Sequence, residues 1–371
     1  MSTLAAIVQD YGAAYEDTFG ERLLPSHRRT LRDIAVCRTV ELGGHVYYCE
    51  HCQETHYHYH SCRNRHCPRC QHQQGQAWLE RQTTLLLPVP YFMVTFTLPA
   101  TLHEVIRQHQ KAFYNILFRA SAEALQAVAG DPRYIGGRVG MMGVLHTWGR
   151  QLNYHPHVHY LVPAGGLSED GRRWLPARRT FLVPVKALSM VFRAKFRDAV
   201  KKTAWFDQVP PEVWQQAWVT HCQPVGKGEA ALRYLAPYIF RVAISNTRIL
   251  KVAAGQVTFR YRPSGSNAWK RCTLSVFEFL RRFLQHVLPK GFVKVRYFGF
   301  FSHSSQHLIP WIRSLLDADA VPLGDEALTG QTEHLQAPIL APRPVRCPTC
   351  QRVMHCIHHL LPRSRGSPMA A

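Results

Sequence analysis

The sequence predicts an α+β protein built on an antiparallel sheet flanked by helices, with a separate cysteine-rich module ahead of it. Two observations carry the first part. Strand-like and helix-like segments mix without a strict strand–helix–strand rhythm, and no Gly-rich phosphate fingerprint opens a helix. The third observation is positional: six of the eleven cysteines lie between Cys37 and Cys70, ahead of the apolar segments that would build a core.

Each core element has its own pattern. "YFMVTFTLP" (91–99) is rich in β-branched and aromatic residues and stops at a proline, which predicts a core strand. Residues 100–130 carry apolar side chains at helical spacing and end in glycine, which predicts one long helix. "RVGMMGVLHTWG" (138–149) and "HPHVHYLVPAGG" (155–166) predict neighbouring strands joined by a short connection. Residues 184–203 form a basic helix with Lys186, Arg193, Lys195, Arg197, Lys201 and Lys202. A further helix begins near Glu229, "QVTFRYRP" (256–263) alternates as a strand, and residues 273–289 form an amphipathic helix. No internal repeat is evident.

Lys and Arg number 45 against 24 Asp and Glu, a net charge of +21. Such an excess points to a polyanionic partner, nucleic acid first. A hydrophobic content of 46% supports a real core and argues against wholesale disorder. No stretch approaches the ~20 apolar residues that span a bilayer. The acid-containing N-terminus does not read as a secretory signal, so the expected location is the cytoplasm, with access to the nucleoid, and the thiols are expected reduced.

Within "YYCEHCQETHYHYHSCRNRHCPRCQ", Cys49-x-x-Cys52 and Cys67-x-x-Cys70 are separated by fourteen residues. Two such knuckles can bring four thiolates around one tetrahedral zinc. Cys37, Cys62 and His66 remain for a second zinc with one further ligand, a partition that spacing alone leaves open. Arg63, Arg65 and Arg69 interleave with these ligands and are expected to touch phosphate. A third knuckle, Cys347 to Cys350, follows a Pro-rich linker; it either closes a small zinc loop or belongs to a flexible tail. Cys222 and Cys272 read as ordinary buried residues.

"NYHPHVHYLV" (153–162) places His155, His157 and His159 on one face of a strand, because strand side chains repeat every second residue. Buried imidazoles need polar partners. His157 and His159, ~6.6 Å apart along the strand, can converge on one metal if a neighbour supplies a third ligand. His146 in "VLHTWG" is the preferred supplier and His155 the alternative. Tyr234 and Tyr238 lie four residues apart in "GEAALRYLAPYIFRVAISN", about 5–6 Å apart at Cβ on one helix face. Pairs at that spacing are ordinarily packing residues. Lys227, Arg233, Arg241 and Arg248 around them favour phosphate and phenolate instead.

In order along the chain, "CRTVELGGHVYYCEHC", "SCRNRHCPRCQ", "FTLPATL", "VLHTWG", "HPHVHYLVPAGG", "RYLAPYIFRVAISN" and "FLQHVLPKGFVKVRYFGF" resemble the two-tyrosine rolling-circle transposases of bacterial insertion sequences. These are the insertion-sequence-ninety-one family of the HUH superfamily, related to Helitrons. The resemblance implies an N-terminal zinc-binding domain and an HUH nuclease core. It implies that His157 and His159 bind Mg2+ or Mn2+, and that Tyr234 and Tyr238 bond covalently to DNA. Pro237 departs from the family pattern; proline in a helix interior costs ~3 kcal/mol, so Tyr238 can be displaced and Tyr234 is the preferred nucleophile.

The resulting expectation is a transposase that nicks single-stranded or hairpin transposon ends, forming a 5′-phosphotyrosine, and transfers the strand without ATP. The expected organisation is residues 1–75 as an N-terminal helix and zinc-binding domain, 76–320 as the catalytic domain and 321–371 as linker and CxxC tail. Two other classes compete. A relaxase or replication initiator shares the chemistry but would favour an adjoining helicase or primase module. A non-catalytic zinc-finger DNA-binding protein would need neither the histidine row nor the tyrosines.

Overall fold

The computed structural model describes residues 3–70, 78, 82–178, 180–228, 230, 232, 242–263, 266–317 and 344–363. Helices α1 (Leu4–Phe19) and α2 (Pro25–Ala35) precede a hairpin, β1 (Gly44–Cys49) and β2 (Glu54–Tyr59). Strand β3 (Pro90–Thr97) leads into α3 (His103–Gln108) and α4 (Gln110–Ala129), then the hairpin β4 (Met141–Trp148) and β5 (Tyr154–Pro163). Two short strands, β6 (Gly165–Leu167) and β7 (Trp174–Pro176), are followed by α5 (Val185–Lys201) and β8 (Val219–Lys227). A meander of β9 (Ile249–Ala253), β10 (Gln256–Tyr261) and β11 (Lys270–Ser275) runs into α6 (Val276–Leu284). Last come β12 (Val295–Phe298), α7 (Leu308–Leu316) and β13 (His355–Leu360).

The central sheet has the order β12-β4-β5-β3-β8, and each of its pairings is antiparallel, as the sequence predicts. Period-two patterning assigns its two faces. Phe92, Val94, Phe96, Leu145, Val158, Tyr160 and Val162 pack on α4 and α5 in one large buried cluster. Tyr91, Met93, Met142, Val144 and Leu161 face the other way, against Leu87, Phe300, Phe301 and α7. The buried Tyr160 hydroxyl donates to the Phe118 carbonyl at 3.0 Å and shares a 2.9 Å bond with Ser121 Oγ. Gly143 on β4 is required where it stands, because a Cβ there would sit 2.5 Å from the Tyr160 ring.

A second buried cluster joins α1, α2, the β9–β11 meander and α6 to Leu152 in the turn between β4 and β5. The third unit is a small sheet in the order β13-β1-β2. Here the C-terminal segment, expected as a tail, adds an antiparallel strand to the N-terminal hairpin.

Two helices differ from expectation. The predicted helix over 100–130 breaks at His109, whose backbone leaves the helical region (φ −124, ψ 41) while its ring stacks 4.3 Å from Trp205. The helix predicted from 273 starts at Val276, because Lys270–Ser275 pairs with β10 and Ser275 Oγ caps the Glu278 amide at 3.3 Å. The helix expected near Glu229 lies largely outside the described residues. Among the described residues, no helix is long and apolar enough to cross a membrane.

Candidate active site and cysteine clusters

The sheet that places Val144 and Leu161 in a core also places His146 and His159 at the other end of the same face. His146 and His157 are direct cross-strand partners, and His159 pairs with Val144 on one side and Thr95 on the other. Ligand atoms of His146, His157 and His159 all lie within 4.8 Å of one another. The three rings stand nearly perpendicular, with centroids 4.8 to 5.3 Å apart. The structure thus joins His146 to the His157–His159 pair and leaves His155 outside the group.

Neighbouring groups fix the rings. Nδ1 of His157 donates to the His155 carbonyl at 2.6 Å, and Nδ1 of His159 pairs with Thr95 Oγ1 at 2.9 Å. The carbonyl can only accept, so His157 carries its proton on Nδ1 and its Nε2 has the lone pair that a cation would take. Trp148 stacks on His146 with centroids 4.7 Å apart. Burial pushes His157 down to about 4, so the ring is neutral near pH 7, the form that binds a cation. The donor set suits a divalent ion with open positions for oxygen ligands. Sequence reasoning missed Thr95 and Trp148: their roles depend on strand pairing and ring stacking, which single-chain spacing does not encode.

The cysteines require a correction. Cys49, Cys52, Cys67 and Cys70 do not form one site. Cys67 and Cys70 instead meet Cys37 and Cys62, while Cys49 and Cys52 meet Cys347 and Cys350. The cause is architectural. Cys37, just past α2, is buried in the helical core with Cys67 and Cys70, whereas Cys49 ends β1 next to Tyr48, which pairs with His355 at the start of β13. In the first set, the closest sulfur pairs are 3.5 to 3.6 Å apart (Cys37–Cys70, Cys37–Cys67, Cys62–Cys70). A tetrahedron with Zn–S of about 2.3 Å has an edge of about 3.8 Å, so this set fits zinc. His66 joins neither set; its Nε2 accepts the Leu288 amide at 3.2 Å.

Several basic residues assigned to DNA have structural work. Arg65 donates to the Phe292 carbonyl at 2.6 Å and Arg69 to the Cys37 carbonyl at 3.0 Å. Arg248 donates to the carbonyls of Arg260 and Arg150 at 2.9 and 2.6 Å. Arg63 and Lys227 are exposed. Tyr234, Tyr238, Arg233 and Arg241 lie outside the described residues, but Leu232 is fully buried in the cluster of the histidine-bearing face.

Residues 140–307 match a family described as "Putative transposase", and residues 7–98 match one described as "Transposase zinc-binding domain". "Putative transposase y4qJ" of Sinorhizobium fredii is 37% identical over 371 aligned residues, covering 94% of this chain and 93% of that protein. The "Transposase for insertion sequence element IS801" of Pseudomonas savastanoi pv. phaseolicola is 31% identical over 296 residues, covering 74% of this chain and 70% of its own. The chain belongs to the IS91 family of transposases.

No solved structure matches this transposase. The histidine face falls within the first matched segment, and Cys37 to Cys70 fall within the second. Cys347 and Cys350 fall in neither.

Proposed function

We propose that this transposase nicks single-stranded DNA at the ends of its element by HUH chemistry and moves the strand by rolling-circle transposition. His146, His157 and His159 would hold the divalent ion. That ion, Mn2+ or Mg2+, would polarise a non-bridging oxygen of the scissile phosphate. The Tyr234 hydroxyl attacks phosphorus in line; the Tyr–O–P bond forms, the P–O3′ bond breaks, and the leaving oxygen takes up a proton as a 3′-hydroxyl. The 5′-phosphotyrosine conserves the bond energy, so a second 3′-hydroxyl can displace the tyrosine without ATP. Tyr238 would accept the next strand.

The observation that carries this reading is the convergence of three imidazoles on one sheet face, with Leu232, two residues before Tyr234, packed into that face. Cys37, Cys62, Cys67 and Cys70 would hold a structural zinc, supported by their sulfur spacing. Exposed Lys227 and Arg63, with the basic face of α5, would hold the strand through its phosphates.

The test is incubation with Mn2+ and end-derived single strands, followed by a denaturing gel. Wild type should give a covalent protein–DNA adduct, and Tyr234→Phe none. Tyr238→Phe should form the adduct yet fail in complete transposition. An undiminished adduct from the Tyr234→Phe, Tyr238→Phe double variant would reject both nucleophiles.

A further inference from the structure

The second cysteine set joins the two ends of the described chain. Cys49 Sγ lies 3.5 Å from Cys350 Sγ across 301 positions of sequence, and Cys347 Sγ lies 3.9 Å from Cys52 Sγ. All four thiols are free, and these separations bracket the edge of about 3.8 Å expected of a zinc tetrathiolate. We propose that Cys49, Cys52, Cys347 and Cys350 form a second zinc site, a clasp that fastens residues 344–363 to the N-terminal hairpin. This goes beyond the catalytic reading above and does not depend on it.

The backbone supplies an independent argument. Among the described residues, six non-glycine residues have positive φ: Arg38, Gln53, Arg63, Leu152, Ala254 and Gln351. Four of them directly follow a clustered cysteine: Arg38 after Cys37, Arg63 after Cys62, Gln53 after Cys52 and Gln351 after Cys350. Such conformations cost of order 1–3 kcal/mol each and persist where surrounding structure over-determines them. The strained turn therefore accompanies both sets, two in each. Around the C-terminal knuckle, Cys347 N donates to Arg352 O at 2.8 Å and Gln351 N to Cys347 O at 2.9 Å, which closes a compact loop behind the sulfurs.

Apolar packing alone does not explain why the segment stays. Among the described residues, the local cluster holds only Cys49, Cys347 and Met354 as buried members, and five of the six β13 residues are exposed. So small a core usually needs a staple such as a metal. His56 is the competing ligand, with Nε2 3.8 Å from Cys347 Sγ. It also faces Glu54 Oε2 at 3.5 Å. The four sulfurs, all within 4.8 Å of one another, supply four ligands without it.

The experiment uses the full chain carrying His157→Ala and His159→Ala, which keeps zinc off the histidine face, purified zinc-replete, with metal counted by mass spectrometry. This parent should carry two zinc ions per chain. The Cys347→Ser, Cys350→Ser variant should carry one, and so should Cys62→Ser, which empties the other set. His56→Asn should keep two. Hydrogen exchange should rise at 44–49 and 355–360 in the Cys347→Ser, Cys350→Ser variant and stay unchanged across 141–163. Should that variant misfold, the cadmium-substituted parent serves instead, with two NMR resonances of all-sulfur coordination expected. A parent content of one zinc that survives loss of Cys347 and Cys350, two ions retained after that loss, or a cadmium resonance with nitrogen ligation would each overturn the clasp.

Discussion

Thr95→Val tests whether the sheet orients the histidines for metal. Valine keeps the shape of threonine and removes only the hydroxyl, which pairs with His159 Nδ1 at 2.9 Å. The direct loss of a neutral hydrogen bond is about 0.5–1.5 kcal/mol. The larger effect falls on the ion, because a ligand ring without its outer partner can rotate or change tautomer. Such changes lower metal affinity about 10–100-fold, equivalent to about 1.4–2.7 kcal/mol at 1.36 kcal/mol per tenfold. Calorimetric titration with Mn2+ should therefore give a dissociation constant raised 10–100-fold, and Thr95→Ser should restore it. Strand cleavage should fail at limiting Mn2+ and recover when Mn2+ is raised, while folding stability falls by no more than about 1.5 kcal/mol. An affinity within twofold of wild type would refute the assignment of Thr95 as a positioning residue.

Gly143→Ala should destabilise the fold by about 1–3 kcal/mol, read from a chemical denaturation midpoint, because its Cβ would meet the buried Tyr160 ring; an unchanged midpoint would contradict that packing. An all-imidazole set should favour Mn2+ over Mg2+, since Mg2+ prefers oxygen ligands; equal cleavage at equal low concentrations of the two ions would argue against it. Burial pushes His286 down from 6.5 to about 4, its ring held between Thr147 Oγ1 and the Leu152 carbonyl. Above 6.5 neither state carries its proton. Between 6.5 and 4 the unfolded chain does and the folded protein does not, so stability falls as pH drops, by about 1.4 kcal/mol per pH unit, and levels off below 4. His286→Gln should remove that share of the slope in denaturation midpoints measured across this range, and an identical slope would exclude His286 as its source.

The histidine site was legible because its signal is local. Period-two spacing puts His157 and His159 on one face whatever the sheet around them, and a hairpin partner was the natural source of His146. The cysteine partition was not legible, because a CxxC knuckle is the same local object whichever knuckle completes it. The fourteen residues between Cys52 and Cys67 suggested one site, whereas β1 pairing with a strand some three hundred positions away produced two. Helix boundaries failed for tertiary reasons as well. The His109 ring finds a stacking partner in Trp205, and residues 270–275 gain a sheet partner in β10, each overriding helical periodicity. Arg65, Arg69 and Arg248 looked like phosphate ligands because charge is visible in sequence and the carbonyls that accept their hydrogen bonds are not.

The small sheet also sets a timetable for synthesis. β1 sits between β2 and β13, and His45 on β1 meets His359 across 314 positions of sequence. At about 5–20 residues per second, a ribosome needs roughly 15–60 seconds to make that interval. During that time β1 waits as an open edge, with Cys49 and Cys52 lacking the two thiols that join them in the finished chain. The histidine-bearing hairpin β4–β5, made entirely from residues 141–163, can form while β13 is still unwritten. Chains cut short before residue 347 would therefore carry an assembled histidine face beside an unfinished N-terminal module, and only full-length copies would close both.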